Sequence, residues 1–223
     1  MKKYYEAYDE RYKTVHLKGV SWSSEKSSPI VLDIIKKYKI NASSTILEIG
    51  CGEGRDSKTV LESGYNLFAT DISKEAIEYC KNIMPLYKAH FGILDCLNDK
   101  HQNKYDFIYS VAVIHMLVLE EDRNLFFRFI NEHLTKDGIA LICTMGDGMT
   151  EMQSDINDAF KLYEREHKSG KIVVAGTSCR MVSFETFESE IKSNNLIVIE
   201  KGITSALPDF NSLMFAVVRK KAQ

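Results

Sequence analysis

Thr45-Ile46-Leu47-Glu48-Ile49 is a short apolar run with one acidic residue inside it, and Gly50, Gly52 and Gly54 follow at every second position. No other segment constrains the chain so tightly. An apolar run of this length closed by glycines reads as a buried strand entering a tight turn, and residues 55 to 63 continue it at helical spacing. Strand, glycine loop and helix make a nucleotide-binding βα unit. Glycine allows backbone angles and close approaches that a Cβ forbids, so a bulky ligand can lie against the main chain. The dinucleotide fingerprint G-x-G-x-x-G places its third glycine one residue later than the G-x-G-x-G found here. Taken alone, the segment fits a cofactor loop and a plain strand-to-helix turn.

The residues that follow separate the two. A second strand-like run, residues 66 to 70, ends at Asp71, and a helical pattern resumes at Ser73. A carboxylate at the carboxyl end of a second strand can accept both hydroxyls of a ribose. Capping the next helix is its other reading, because Asp71 and Ser73 precede the apolar positions Ala76, Ile77, Cys80 and Ile83. A third strand is expected over 87 to 93, with Asp95 just beyond it, and a fourth over 105 to 111, opened by Asp106. Pro29 after Ser28 marks a helix start, with Ile30, Ile34, Ile35 and Tyr38 on one face. Further helices are expected over 121 to 134 and 184 to 194, and strands over 138 to 145, 196 to 201 and 213 to 219. Alternation with short connections predicts an α/β fold, a doubly wound, mostly parallel sheet covered by helices on both faces.

In this order, the motifs resemble those of the class I S-adenosylmethionine-dependent methyltransferases. The resemblance covers residues 43 to 145 and implies a Rossmann-like methyltransferase fold, with seven strands and an antiparallel last strand after a loop from Gly202 to Ser212. It implies that S-adenosyl-L-methionine is the cofactor and S-adenosyl-L-homocysteine the product. Glu48, Gly50, Cys51, Gly52 and Gly54 match the motif that holds the methionine end, Asp71 the acidic residue on the ribose, and Ile72 its neighbour beside the adenine. Asp95 and Cys96 match the position that receives the adenine amino group, and the strand ending at Ser110 matches the motif facing the transferred methyl. Residues 134 to 139 resemble the turn into the fifth strand, with Lys136-Asp137-Gly138 where many relatives carry Pro-Gly or Gly-Gly. The Gly-Arg-Asp continuation at 54 to 56 is similar to small-molecule methyltransferases, including the tellurite-resistance type.

Composition narrows the class further. With 223 residues, 44% of them hydrophobic, the chain can bury one good core, so a single domain over 1 to 223 is expected. Five cysteines, with no C-x-x-C pair, support neither a disulfide framework nor a zinc knuckle, and no metal is expected. No apolar stretch reaches the length of a membrane span, and the charged start lacks a signal-peptide core, so a cytoplasmic protein without a membrane partner is expected. A net charge of −2 and scattered basic residues argue against a nucleic-acid partner. The fourth-motif region reads Ser110-Val111-Ala112-Val113, without the Asn/Asp-Pro-Pro-aromatic sequence that resembles enzymes methylating flipped bases. A small-molecule acceptor is expected; the oligomeric state is left open.

Two segments lie outside the shared core and are where acceptor choice is expected. In the first, residues 1 to 27, Tyr4, Tyr8, Tyr12 and Val15 make a stripe at helical spacing ahead of Trp22, the only tryptophan. Such a face packs on the domain, or forms a lid in which Tyr12 and Trp22 shield a cation and grip the acceptor. The second, residues 146 to 183, follows the fifth strand and is expected as a cap insertion with a helix over 151 to 167, a turn at 168 to 170 and a strand over 172 to 175. Within it Arg180 is a candidate anion-binding residue, or else pairs with a nearby Glu. Where the acceptor carries a proton that must leave, His115 is the first candidate base and Asp147 the second. A nicotinamide-dependent oxidoreductase is disfavoured by the glycine spacing and the absence of a Tyr-x-x-x-Lys pair after the fourth or fifth strand. A non-catalytic S-adenosylmethionine-binding protein is the third reading.

Overall fold

The computed structural model describes residues 2–24, 26–204 and 212–222. Ahead of the sheet come a 3₁₀ turn at Tyr4–Glu6, α1 (Ala7–His16) and α2 (Pro29–Lys37). Strands and helices then alternate through β1 (Thr45–Ile49), α3 (Arg55–Glu62), β2 (Asn66–Asp71), α4 (Lys74–Ile83), β3 (Phe91–Ile93), β4 (Tyr105–Val111), α5 (Glu120–His133) and β5 (Leu134–Met145). Four short strands follow: β6 (Met152–Gln153), β7 (Leu162–His167), β8 (Gly170–Ala175) and β9 (Arg180–Met181). The described chain ends on α6 (Phe184–Ser193), β10 (Leu196–Thr204) and β11 (Leu213–Lys220).

Seven strands pair in the order β10-β11-β5-β4-β1-β2-β3. All neighbours from β5 to β3 are parallel, whereas β11 runs antiparallel to both β5 and β10. Strand order reverses at β1, which has β2 on one side and β4 on the other. A crevice opens at the carboxyl ends of the strands at such a point. Strand periodicity divides the core: Ile46, Phe107, Tyr109 and Leu141 pack with α2, α3 and α4, while Leu47, Ile108 and Ile142 pack with α5 and α6. The same period sets Glu48 on the α3 side, beside Tyr109.

Four expectations are corrected. Residues 87 to 93 do not form a full strand: Pro85 starts a 3₁₀ turn at Pro85–His90, and only Phe91–Ile93 joins the sheet edge. No helix spans 151 to 167. Instead β7 and β8 form an antiparallel hairpin with His167 paired to Gly170 across Lys168-Ser169. The β-branched run Ile172-Val173-Val174 favours extended chain, and Ile172 and Val174 bury themselves against Val15 of α1, which a helix here would leave uncovered. Of the loop expected from Gly202 to Ser212, residues 202–204 belong to β10, and residues 205–211 lie outside the described residues. Nor are all basic residues scattered: Lys104, Arg128, Lys136, Arg219, Lys220 and Lys221 line a shallow cleft at the amino ends of the parallel strands, with Glu132 and Asp137. No helix among the described residues is long and apolar enough to cross a membrane.

Candidate functional site

The glycine loop is shaped from both sides. Gly50, Gly52 and Gly54 all adopt left-handed backbone angles, with φ of +75°, +52° and +77°. All three also need the missing Cβ for space: it would sit 2.3 Å from Val113 Cγ2 at Gly50, 2.7 Å from the Tyr12 hydroxyl at Gly52 and 2.6 Å from Met84 Cε at Gly54. Asp71, at the carboxyl end of β2, accepts the Gly52 N–H with one oxygen and the Ser73 N–H with the other, each at 2.8 Å. It therefore fixes the loop and the start of α4 together. Burial pushes the Asp71 carboxyl up to about 6, against the lowering effect of those two N–H groups. Burial, with Asp56 nearby, pushes Glu48 up to about 8, although Ser57 and Tyr109 hydroxyls donate to it.

A cavity of about 710 Å³ opens over this loop, within the range of roughly 300 to 1,000 Å³ usual for small-ligand sites. Glu48, Gly50, Cys51, Gly52, Asp71, Ile72, Asp95 and Cys96 are on its wall, as are Tyr12 and Trp22. Asp95 accepts the Leu97 N–H at 2.9 Å and pairs with Lys3 Nζ at 3.1 Å. Gly54 is set back beneath the loop, where its absent Cβ makes room for Met84 and Cys80. On the same wall Ala112 holds φ of +59°, a left-handed angle uncommon for any residue with a side chain, and so turns Val113 towards Gly50.

Several sequence-selected residues lie off this wall. Ser110 is buried and donates to the Ile49 carbonyl at 3.1 Å, tying β4 to β1. His115 sits inside the 3₁₀ turn Ile114–Met116 and is only 6% exposed; burial, with Arg123 nearby, pushes it down to about 4. Its neighbours Val113, Met116 and Leu117 line the cavity in its place. Asp147 is exposed, and its carboxylate, lowered to about 2, accepts the Met149 and Thr150 N–H groups of its own turn. Arg180 donates to the Val118 carbonyl and pairs with Glu190 at 3.8 Å, the Glu pairing weighed for it in the sequence. The chemistry expected of these groups needs a ligand within reach, and none of the four lines the cavity.

Other residues take their place. Tyr8, Ser23, Ser24, Glu53, Arg55, Glu166, His167 and Lys168 all line the cavity. Glu53 sits inside the glycine motif, where it reads as a spacer, whereas Arg55, with Asp56 at the start of α3, reads from the sequence as orienting a cofactor or capping the helix. Residues 166 and 167 fell within the expected helix, so their approach to Trp22 had no sequence signal. Arg55 Nε and Ser24 Oγ are buried without a hydrogen-bond partner among the described residues. Buried donors of that kind are satisfied by water or by a ligand oxygen. Carboxylates at the ends of β2 and β3, a bare backbone loop between them and open donors at the start of α3 fit a nucleoside with an amino-acid tail.

A glycine loop at the switch point of a seven-stranded sheet with an antiparallel penultimate strand defines a Rossmann-like domain of the methyltransferase kind. Residues 47–140 match the family described as Methyltransferase domain. Among curated proteins, the chain is 25% identical over 146 residues to "Probable S-adenosyl-L-methionine-dependent methyltransferase TehB" of Haemophilus influenzae, a match covering 59% of this chain and 50% of that protein. The chain thus spans about half the length of the curated relatives it matches. Among solved structures it is similar to the CcbJ methyltransferase from Streptomyces caelestis, with a TM-score of 0.71 and 12% identity over 96% of this chain and 99% of that one. It is likewise similar to the glycopeptide N-methyltransferase MtfA complexed with S-adenosyl-L-methionine, with a TM-score of 0.65 and 13% identity over 88% of each chain. Residues 47–140 thus match a methyltransferase domain, and over 146 residues the chain is similar to a probable S-adenosyl-L-methionine-dependent methyltransferase.

Proposed function

We propose that this protein transfers a methyl group from S-adenosyl-L-methionine to a small molecule. The observation that carries this reading is the single cavity shared by the glycine loop, the N-terminal segment and the tip of the β7–β8 hairpin. Its volume suits a nucleoside cofactor with a compact acceptor, and its walls combine aromatic side chains with charged and polar groups. The name of the Haemophilus influenzae relative and the ligand of the glycopeptide N-methyltransferase point to the same cofactor.

In this reading the backbone at Gly50, Cys51, Gly52 and Gly54, with Glu48 behind it, holds the methionine end of the cofactor. Arg55 Nε and Ser24 Oγ are donors for its carboxylate. Asp71 accepts from the ribose, Ile72 packs on the adenine, and Asp95 with Cys96 receives the adenine amino group. Bound there, the cofactor supplies an electrophilic methyl on a sulfonium, which the acceptor's lone pair takes in line while the C–S pair stays on sulfur and S-adenosyl-L-homocysteine leaves. The chain supplies alignment and exclusion of water: Tyr8, Tyr12 and Trp22 close one side, and Val113, Met116 and Leu117 the other. Holding reactants in a near-attack geometry can be worth roughly 7 to 11 kcal/mol.

Calorimetric titration with S-adenosyl-L-methionine and S-adenosyl-L-homocysteine, with NAD and NADP as controls, tests this. Micromolar binding of the first pair alone is expected and opens an acceptor screen. Binding of a nicotinamide cofactor only would replace this reading with a hydride-transfer enzyme.

A further inference from the structure

Glu53 occupies a spacer position in the glycine motif, yet its side chain is only 2% exposed. It faces away from the loop backbone and collects four donors from the N-terminal segment. One oxygen accepts the Trp22 N–H at 2.8 Å and meets His16 Nε2 at 2.8 Å. The other accepts the Ser23 N–H and the Ser23 hydroxyl, each at 2.6 Å. His16 is held on every side: its Nδ1 lies 2.8 Å from Glu75 at the start of α4, and its ring stacks on Tyr79 with centroids 4.2 Å apart.

What Glu53 holds is larger than the segment it touches. Trp22 stacks on His167 at the hairpin tip, 5.9 Å between centroids and 19° between planes. His167 Nε2 donates to the Ser21 carbonyl at 2.8 Å, and Lys168 Nζ donates to the Ser21 hydroxyl at 3.0 Å. Arg11 of α1 lies between the Tyr8 and Trp22 rings, 4.6 Å from each, and donates to the Ala175 carbonyl of β8. Val15, Ile172 and Val174 bury one another beneath these contacts. The two segments outside the common core therefore form one roof.

We infer that Glu53 is a positioning residue: it fastens this composite roof to the glycine loop and so sets Trp22 and the hairpin tip as the acceptor-side wall of the cavity. The inference rests on the cofactor reading above. A carboxylate buried to this extent needs all its donors, because an unsatisfied buried charge is costly, so the clasp closes as a unit. Ligand entry and release then require the clasp to open. Arg11 and the hairpin contacts keep the roof in one piece while it does.

Trp22 is the only tryptophan and lies within the clasp, so its fluorescence reports on it directly. Mixing the full chain with S-adenosyl-L-homocysteine in a stopped-flow instrument gives its association and dissociation rates from that signal. Glu53→Gln is expected to speed dissociation at least tenfold and to shift Trp22 emission to the red in ligand-free protein. Adding His16→Gln to Glu53→Gln is expected to change neither further. Ser23→Ala, which removes one donor and nothing from the core, is expected to speed dissociation by a smaller factor. Unchanged dissociation and emission in Glu53→Gln and Ser23→Ala, or independent effects of His16 and Glu53, would overturn the inference. Should wild-type protein bind no S-adenosyl-L-homocysteine by calorimetry, the cofactor reading fails, while the emission shift still tests the clasp.

Discussion

The carboxylate of Asp71 accepts the backbone N–H of Gly52 at 2.8 Å, joining the end of β2 to the middle of the glycine loop. The bond presets the loop before any ligand arrives, and the cavity wall is built around it. Asp71→Ala is expected to weaken S-adenosyl-L-homocysteine binding by about 1 to 3 kcal/mol, since it removes both the proposed ribose acceptor and the loop's anchor. Calorimetry checks this, and unchanged affinity would leave Asp71 as the residue that starts α4.

Glu48 makes the ligand-free protein less stable as pH rises. Its folded-state pKa, pushed up to about 8 by burial, lies above the ordinary value of 4.5, so the folded chain keeps a proton that the unfolded chain gives up. Unfolding free energy falls wherever the folded state binds more protons, here from about pH 4.5 up to about 8. The contribution is fully present below that window and lost above it. Glu48→Gln, which keeps an acceptor for Ser57 and Tyr109, is expected to flatten this part of the profile and to melt above wild type at pH 9. Thermal melts from pH 5 to 9 show it; parallel profiles would mean that Glu48 is ionised in the folded protein.

A methyl group at Gly52 would collide with the Tyr12 hydroxyl, 2.7 Å from the Cβ position. Gly52→Ala is expected to displace α1 and to weaken ligand binding by at least about 1.4 kcal/mol, a factor of ten. Gly52→Ala combined with Tyr12→Phe should recover part of that loss, because the second change removes the clashing oxygen and leaves only the left-handed backbone strain at φ +52°. No recovery would assign the whole effect to the backbone.

Arg123 is completely buried and holds Glu190 through two bonds of 2.7 and 2.6 Å, with a third to the Ile114 carbonyl. Removing one partner of a buried pair costs about 3 to 5 kcal/mol, and Arg180, 3.8 Å from Glu190, offsets part of that here. Arg123→Ala should lower the denaturation midpoint accordingly. A urea titration reads the loss, and a change below about 1 kcal/mol would show that the pair contributes little.

The amino-acid sequence by itself determined the sheet, the helices on its two faces and the wall that Glu48, the glycines, Asp71 and Asp95 build. Those signals are local: apolar runs of strand length, glycine where a Cβ cannot fit, a carboxylate one residue past a strand end. Tertiary structure alone decided the opposite wall. Whether residues 162 to 167 coil or extend depends on a partner strand and on Val15 of α1, distant in sequence, and a helix-like pattern lost to that packing. Arg180, His115 and Asp147 are chemically capable residues placed away from the cavity: Arg180 pairs with Glu190, His115 is buried within a 3₁₀ turn, and Asp147 accepts from its own turn backbone. Glu53 shows the reverse case, a spacer in the motif that becomes the fastening of the roof because His16, Trp22 and Ser23 fold back onto it. Side-chain chemistry is written in sequence, but which groups share a cavity depends on long-range burial and hydrogen bonding that no local window contains.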